Sequence, residues 1–432
     1  MTTAARWGLA AALLAGLGAT GTQADRGAIV TVGEVDIEEP AQRALIAHNG
    51  ARELLVLQTD VKASRAVKVV EFMPLPAKPR VSLAPKGCFA ALARLIEKHN
   101  LRYVVQYRGK DGGGEKGRAV QVVVAEQLGP HAVTVVEVAD AAAFTRWVKG
   151  FFGAQGLGEP ALGEGLRGVV ERYLDRDIRF FAFDVVSLGP ETQTVRPLAY
   201  EFACRHLYYP LEVTNLYGGK GTVELITVLP WGLAGFEAIA VRPRADAVPP
   251  DVRLARRLLR STAGRLRPGE ASELHGSMEE LLGGQRAILR AVKYEGPLAF
   301  AGDVWAPTFY HRPSAASHAF VAAVMGGDRA LVAALVDVPF AFDRVEVVED
   351  RDALVERLSR GGGEERRPAI RRRIEVQRAA GSSLVVSDFD KRFVAEHLAG
   401  GHVARVTVGR EAVVLFLRRT REGAWKVAGL SD

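Results

Sequence analysis

Apolar and polar positions alternate in short runs through most of this chain, and helical spacing appears in only a few places. Before residue 80, the β-branched and apolar runs at 28–32, 53–59 and 67–72 predict strands, and Ala41-Gln42-Arg43-Ala44-Leu45-Ile46 reads as the start of another. Met73-Pro74-Leu75-Pro76 must be extended, because each proline fixes its own φ and restrains its predecessor. A helix is predicted over 85–100, with Cys88, Leu92 and Leu95 on one face, followed by a strand at 103–108. Strands at 118–126 and 133–138 flank a turn at Leu128-Gly129-Pro130. An amphipathic helix then carries Phe144, Trp147, Val148, Phe151 and Phe152. Three further strands are expected at 178–186, 196–204 and 209–216. In the second, Leu198, Tyr200, Phe202 and Cys204 alternate toward a core.

The pattern changes after residue 232. Pro243, Pro249 and Pro250 read as a linker. The stretch 251–266 reads as an amphipathic helix with Arg253, Arg256, Arg257 and Arg260 on its polar side, and 277–292 as a second helix. A separate unit starts near Tyr310. Ser314 is expected to cap a helix carrying Phe320, Ala323 and Val324, Asp328 the next, and Asp350 a third over 350–359. Strands are expected at 340–348, 371–378, 402–409, 412–419 and 425–430, with an extra helical pattern at 391–398. The fold class is α+β: an antiparallel strand-rich N-terminal region with a helical appendage, then a smaller cone-shaped α+β domain. The expected divisions are a signal peptide at 1–24, the strand-rich domain at 25–232, linker and appendage at 233–310, and the last domain at 311–432.

The 432 residues are 48% hydrophobic and 25% charged, a globular composition. Arg6, the apolar run 7–19 and the small-x-small Thr22-Gln23-Ala24 together read as a secretory signal cleaved to leave Asp25 first. That apolar run is well short of the ~20 residues a membrane-spanning helix needs. The expectation is therefore a periplasmic or secreted protein with no transmembrane segment after cleavage. The net charge of +7 falls to +6 without Arg6 and is spread along the chain, so no nucleic-acid partner is expected.

Cys88 and Cys204 are the only cysteines, in a compartment that permits disulfides. Both point toward a core, which leaves a disulfide and two buried free thiols equally open. The glycine-rich stretch 110–117 is followed by a strand rather than by the helix that a phosphate cradle requires, so it reads as a hairpin loop. Asp175 and Asp177 bracket Arg176 and read as a solvated turn rather than a metal site. His397 and His402 are separated by Gly400-Gly401 and need not share a face. His206 reads as a core or rim histidine. No Gly-x-Ser-x-Gly elbow occurs. Catalytic, metal and cofactor residues are therefore expected to be none, with Asp343, His402 and Arg418 the remaining ionisable candidates in the last domain.

Several phrases resemble, in order and spacing, a bacterial secreted family known as domain of unknown function 2330. They are Ala41-Gln42-Arg43-Ala44-Leu45-Ile46, Met73-Pro74-Leu75-Pro76 and Leu128-Gly129-Pro130-His131-Ala132-Val133-Thr134-Val135 ahead of Trp147. Tyr208-Tyr209-Pro210-Leu211-Glu212-Val213-Thr214 and Lys293-Tyr294-Glu295-Gly296-Pro297-Leu298 complete the set. The likeness spans about 28–305 and implies export rather than an activity. Over about 315–432, Gly327-Asp328-Arg329-Ala330-Leu331, Val338-Pro339-Phe340-Ala341-Phe342 and Trp425-Lys426-Val427-Ala428-Gly429 resemble the nuclear-transport-factor-two-like (SnoaL-type) cone. That likeness implies a curved sheet with a pocket and leaves a homodimer through this domain open.

The functional expectation is a non-catalytic binding or structural module of the cell envelope. Two alternatives stand beside it. One is a small-molecule hydrolase or isomerase using the cone's pocket. The other is a binder of anionic polymer or membrane surface through the arginine-rich stretches 251–267 and 366–378.

Overall fold

The structure is a computed structural model, and it describes residues 27–29, 37–63, 66–104, 133–188, 193–194, 197–216, 220–247, 258–360 and 372–431. The expected signal peptide, the glycine-rich loop, the strand at 118–126 and Arg253, Arg256, Arg257 and 366–371 lie outside these residues.

A ten-stranded mixed sheet organises the first three hundred residues. Its main order is β5 (Arg80–Leu83), β10 (Leu198–Ala203), β3 (Arg52–Ala63), β2 (Ile37–His48), β12 (Lys220–Pro230), β16 (Ala287–Pro297), β14 (Leu258–Ser261) and β6 (Tyr103–Val104). β9 (Gln193–Thr194) pairs with β3, and β15 (Gly264–Leu266) pairs with β16. β2 and β12 run parallel, and the other pairings are antiparallel. A four-stranded sheet, in the order β1 (Gly27–Ile29), β4 (Val67–Leu75), β8 (Phe180–Leu188) and β7 (Val133–Glu137), is the second layer.

Both faces of the large sheet are covered, as its apolar alternation requires. Ile46, Leu55, Tyr200 and Leu225 share one core with Phe72, Phe181 and Phe183 of the second sheet. Phe144 and Phe152 of α2 (Ala141–Ala154) and Val170 and Tyr173 of α3 (Glu164–Asp175) complete it. On the opposite face, Leu45, Val56, Ile226 and Leu289 pack under Phe89, Leu92 and Leu95 of α1 (Cys88–Lys98) and Met278 and Leu281 of α4 (Ser277–Leu281). Asp140 caps α2 by accepting from the Ala143 N–H at 2.7 Å. Two short ladders finish this part: β11 (His206–Tyr209) with β17 (Val304–Pro307), and β13 (Leu233–Ala234) with β18 (Phe309–Tyr310).

Residues 313–431 form a helix-covered six-stranded sheet in the order β20 (Glu346–Val348), β19 (Val336–Phe342), β24 (Trp425–Ser431), β23 (Glu411–Arg419), β22 (His402–Val408) and β21 (Arg372–Arg378). Only β19 and β24 run parallel. One face carries Leu415, Leu417 and Val427 under α5 (Pro313–Gly326), α6 (Arg329–Leu335) and α7 (Arg351–Ser359). The other carries Val403, Val414 and Phe416 under α8 (Asp388–His397), the extra helix expected from the sequence. The Ser387 side chain and Asp390 close a reciprocal capping box on α8. Asp328 and Asp350 cap α6 and α7 as anticipated.

The two parts share a joint at the β2–β3 hairpin. Arg52 bridges Glu201 and Asp328, each at 2.9 Å, and the Tyr310 hydroxyl donates to the Asn49 carbonyl at 2.8 Å.

Six expectations need correction. The strand at 209–216 stops at Tyr209: Pro210 follows, and a 3-10 turn at Glu212–Leu216 takes over. The described half of the helix at 251–266 is strand instead, because Arg260 reaches inward to the carbonyls of Phe236 and Ile239. The helix at 277–292 ends at Leu281, where Gly283 and Gly284 adopt φ of 61° and 67°, and β16 begins at Ala287. That strand pairs along its whole length with β12, so β14, β15 and β16 belong to the large sheet rather than to a helical appendage. The strand at 340–348 is two strands, parted by left-handed Asp343 and Arg344, and Pro313 opens α5 with Arg312, not Ser314, at its cap.

Candidate functional site

The buried ionisable groups of the first part are held inward. The Asp303 carboxylate accepts from the backbone N–H groups of Leu211 (2.9 Å) and Glu212 (2.8 Å), from the Tyr173 hydroxyl (3.0 Å) and from the Tyr208 hydroxyl (3.4 Å). Arg176 adds an ion pair at 3.6 Å. Burial pushes the Asp303 pKa up, and the donors and Arg176 oppose that shift. The knot ties α3 to the end of β11.

His48 is fully buried. Its Nε2 donates to the Cys204 carbonyl at 3.0 Å, and its Nδ1 accepts from the Gly50 N–H at 2.9 Å. Burial lowers its pKa to about 4, so the ring is neutral at pH 7 and both nitrogens are engaged. Glu53 accepts from the Tyr208 N–H at 2.8 Å, and burial pushes its pKa well up.

Cys88 and Cys204, left open between bonded and free, are free thiols. Cys88 opens α1 on one face of the large sheet, while Cys204 packs against the core on the other. Burial raises both to a pKa of about 12, so neither supplies a thiolate nucleophile near neutral pH. Asp177 sits in a left-handed turn (φ 61°) and accepts from Arg179 at 2.6 Å. His206 is exposed and meets Trp305 edge-on, with ring centroids 6.1 Å apart.

The three candidates on the six-stranded sheet do not converge. Asp343 is exposed in its turn. Arg418 points to the α8 side, where it donates to the His397 carbonyl (3.0 Å) and to Asp337 (2.8 Å). The His402 ring packs edge-on to Trp425 on the opposite face, with ring centroids 4.8 Å apart.

The arrangement best suited to a ligand is a cleft of about 490 Å³ that no motif announced. Its floor is one end of the large sheet, with Thr227 and Leu229 of β12 against Arg290 and Ile288 of β16. One wall is the turn Trp231–Glu237. Gly232 holds that turn against α5 at φ 93°, where a Cβ would come within 2.5 Å of the Ala315 methyl. A Cβ on Gly235, at φ 148°, would come within 2.8 Å of the Thr308 methyl.

The cleft lining carries three arginines, Arg265, Arg290 and Arg312, against one acid, Glu237. Arg290 pairs with Glu237 at 2.6 Å and lies 4.9 Å from the centre of the Phe236 ring. Arg312 lies 4.3 Å over Trp231, which keeps 39% of its surface accessible. Among the described residues, Arg265 and Arg312 have no acidic partner. Partial burial and the neighbouring Arg312 lower the His311 pKa, so it adds no charge at neutral pH. Three arginines in one cleft create a positive potential toward anions, and the indole and aliphatic floor offer apolar contact. The Pro230-Trp231-Gly232 phrase was the only available signal. The arginines come from three segments too far apart in sequence to read as a set.

A comparison with curated proteins gives no match. Among solved structures, the chain is similar to the crystal structure of baculovirus P35 at 8% identity and a TM-score of 0.33, covering 64% of this chain and 99% of that one. It is also similar to a mutated baculovirus P35 after caspase cleavage, at 7% identity and a TM-score of 0.27, covering 62% and 99%. Scores this low establish no shared fold. Residues 20–226, which run from before β1 into β12, match the family described as an uncharacterized protein conserved in bacteria, DUF2330.

Proposed function

We propose that this is an exported, non-catalytic binding module that takes an anionic ligand in the Trp231 cleft. The observation that carries the reading is the cleft itself: Arg265 and Arg312 without acidic partners beside an accessible indole. The buried acids, His48 and the two thiols are engaged in the scaffold or held unreactive, and among the described residues the cleft lining pairs no thiol or serine with a base. Residues 313–431, read as a nuclear-transport-factor-two-like cone, supply Arg312's neighbour α5 as the wall that shapes the cleft. Export through the 1–24 signal would place the cleft among envelope polymers.

The test is binding of dextran sulfate to the full mature chain across a salt series. Affinity should fall as salt rises, and the Arg265→Ala/Arg312→Ala variant should bind at least about fivefold more weakly, with a shallower salt slope. Equal binding by the variant and the parent would refute the assignment.

A further inference from the structure

Resting on that reading, we infer that the anion is an acidic saccharide: a chain of sugar rings that bears carboxylates. Three features of the cleft, taken together, select this class over a simple polyanion.

The first is Trp231. A polyphosphate or polysulfate has little use for an indole, because its surface is charged oxygen. A pyranose ring presents a face of C–H groups, and that face packs on an aromatic plane. Trp231 is held at the rim by the left-handed Gly232 and stays 39% accessible, and with Arg312 over one face of the indole a sugar ring would use the other. The floor beside it, Leu229 and Ile288, is apolar as well.

The second is Glu237. A carboxylate in an anion site repels its ligand, so its presence needs a reason. Its pairing with Arg290 at 2.6 Å neutralises it and leaves the pair offering an acceptor and a donor side by side. The Arg290 Nε is buried without a hydrogen-bond partner. A carboxylate–guanidinium pair of this kind fits adjacent hydroxyls, which both donate and accept. Sugars supply such diols; polyphosphate supplies none, and acidic peptides supply few.

The third is the placement of the unpaired cations. Arg265 stands on β15, across the sheet end from Arg312 at the start of α5. Two guanidinium groups carried by different elements of one cleft suit carboxylates on separate rings, each able to take a planar, two-pronged pair.

The test compares tetragalacturonate, neutral dextran oligosaccharide and a short inorganic polyphosphate, each titrated into the full chain and into Trp231→Ala and Glu237→Gln. Tetragalacturonate should bind the parent best. Trp231→Ala should weaken tetragalacturonate by about tenfold and leave polyphosphate within about twofold. Glu237→Gln removes a negative charge, so it should strengthen polyphosphate while lowering the preference for tetragalacturonate. Opposite responses cannot come from a variant that merely unfolds. If both anions bind alike and neither variant changes their ratio, the saccharide assignment is overturned and anion binding stands. If neither anion binds the parent, both are overturned.

Discussion

Asp303 gathers donors from α3 and from the end of β11, and its replacement tests how the first part is held together. Its side chain is wholly buried and accepts from two backbone N–H groups and two tyrosine hydroxyls. In Asp303→Ala the N–H groups of Leu211 and Glu212 lose their acceptor, and each unsatisfied buried donor costs about 1–3 kcal/mol. The Tyr173 hydroxyl still accepts from the Val213 N–H at 3.1 Å, so its loss is smaller. Arg176 is about one-third exposed and can turn to water or to Glu212, so its ion pair adds little. The sum is roughly 3–5 kcal/mol, the usual cost of removing one partner from a buried charged network. Asp303→Asn keeps an oxygen for both N–H groups and should lose only about 1–2 kcal/mol. Urea unfolding of the full chain, with the slope of the transition held constant, measures both. If Asp303→Ala costs under about 1 kcal/mol, or no more than Asp303→Asn, the knot is not the support described.

Two further outcomes follow from the same geometry. His48 has a folded pKa of about 4 against an ordinary 6.5, so its contribution is intact above 6.5 and is lost as pH falls from 6.5 toward 4. That loss reaches about 3 kcal/mol, and urea melts between pH 7 and 4 should show a flatter pH dependence in His48→Gln; an unchanged slope would count against it. Trp425 packs in the core on the α5 side of the six-stranded sheet, so Trp425→Ala should cost ~3–5 kcal/mol. Alternation alone would make Lys426 dispensable, yet its ammonium donates to the Ala334 carbonyl at the end of α6, and Lys426→Ala should cost about 1 kcal/mol. Thermal melts with equal shifts for the two would show the strand to be misassigned.

What could be read in advance was local. The alternation Leu198, Tyr200, Phe202 does face the core, the helix around Trp147 is present, and Asp328 and Asp350 cap where their positions suggested. The misreadings fall where distant partners decide. The stretch 287–292 is apolar apart from Arg290 because β16 is an inner strand with Leu289 and Ala291 packed on one face, and without its partner β12 such a run cannot be told from a buried helix. Gly283-Gly284 was the break that periodicity alone overrode. Arg260 looked like a solvent-facing helical arginine, since its acceptors, Phe236 and Ile239, lie more than twenty residues away. The cleft was invisible for the same reason: Trp231, Arg265, Arg290 and Arg312 meet only after β12, β15, β16 and α5 have packed.

Ligand entry at the Trp231 turn is tested directly by amide hydrogen exchange of the full chain, with and without a short dextran sulfate at saturating concentration. Binding in the cleft predicts slowed exchange in 231–237, 263–265 and the start of α5, with the β19–β20 turn and α8 unchanged. Slowed exchange confined to the six-stranded sheet or to α8, with the 231–237 turn unaffected, would contradict it.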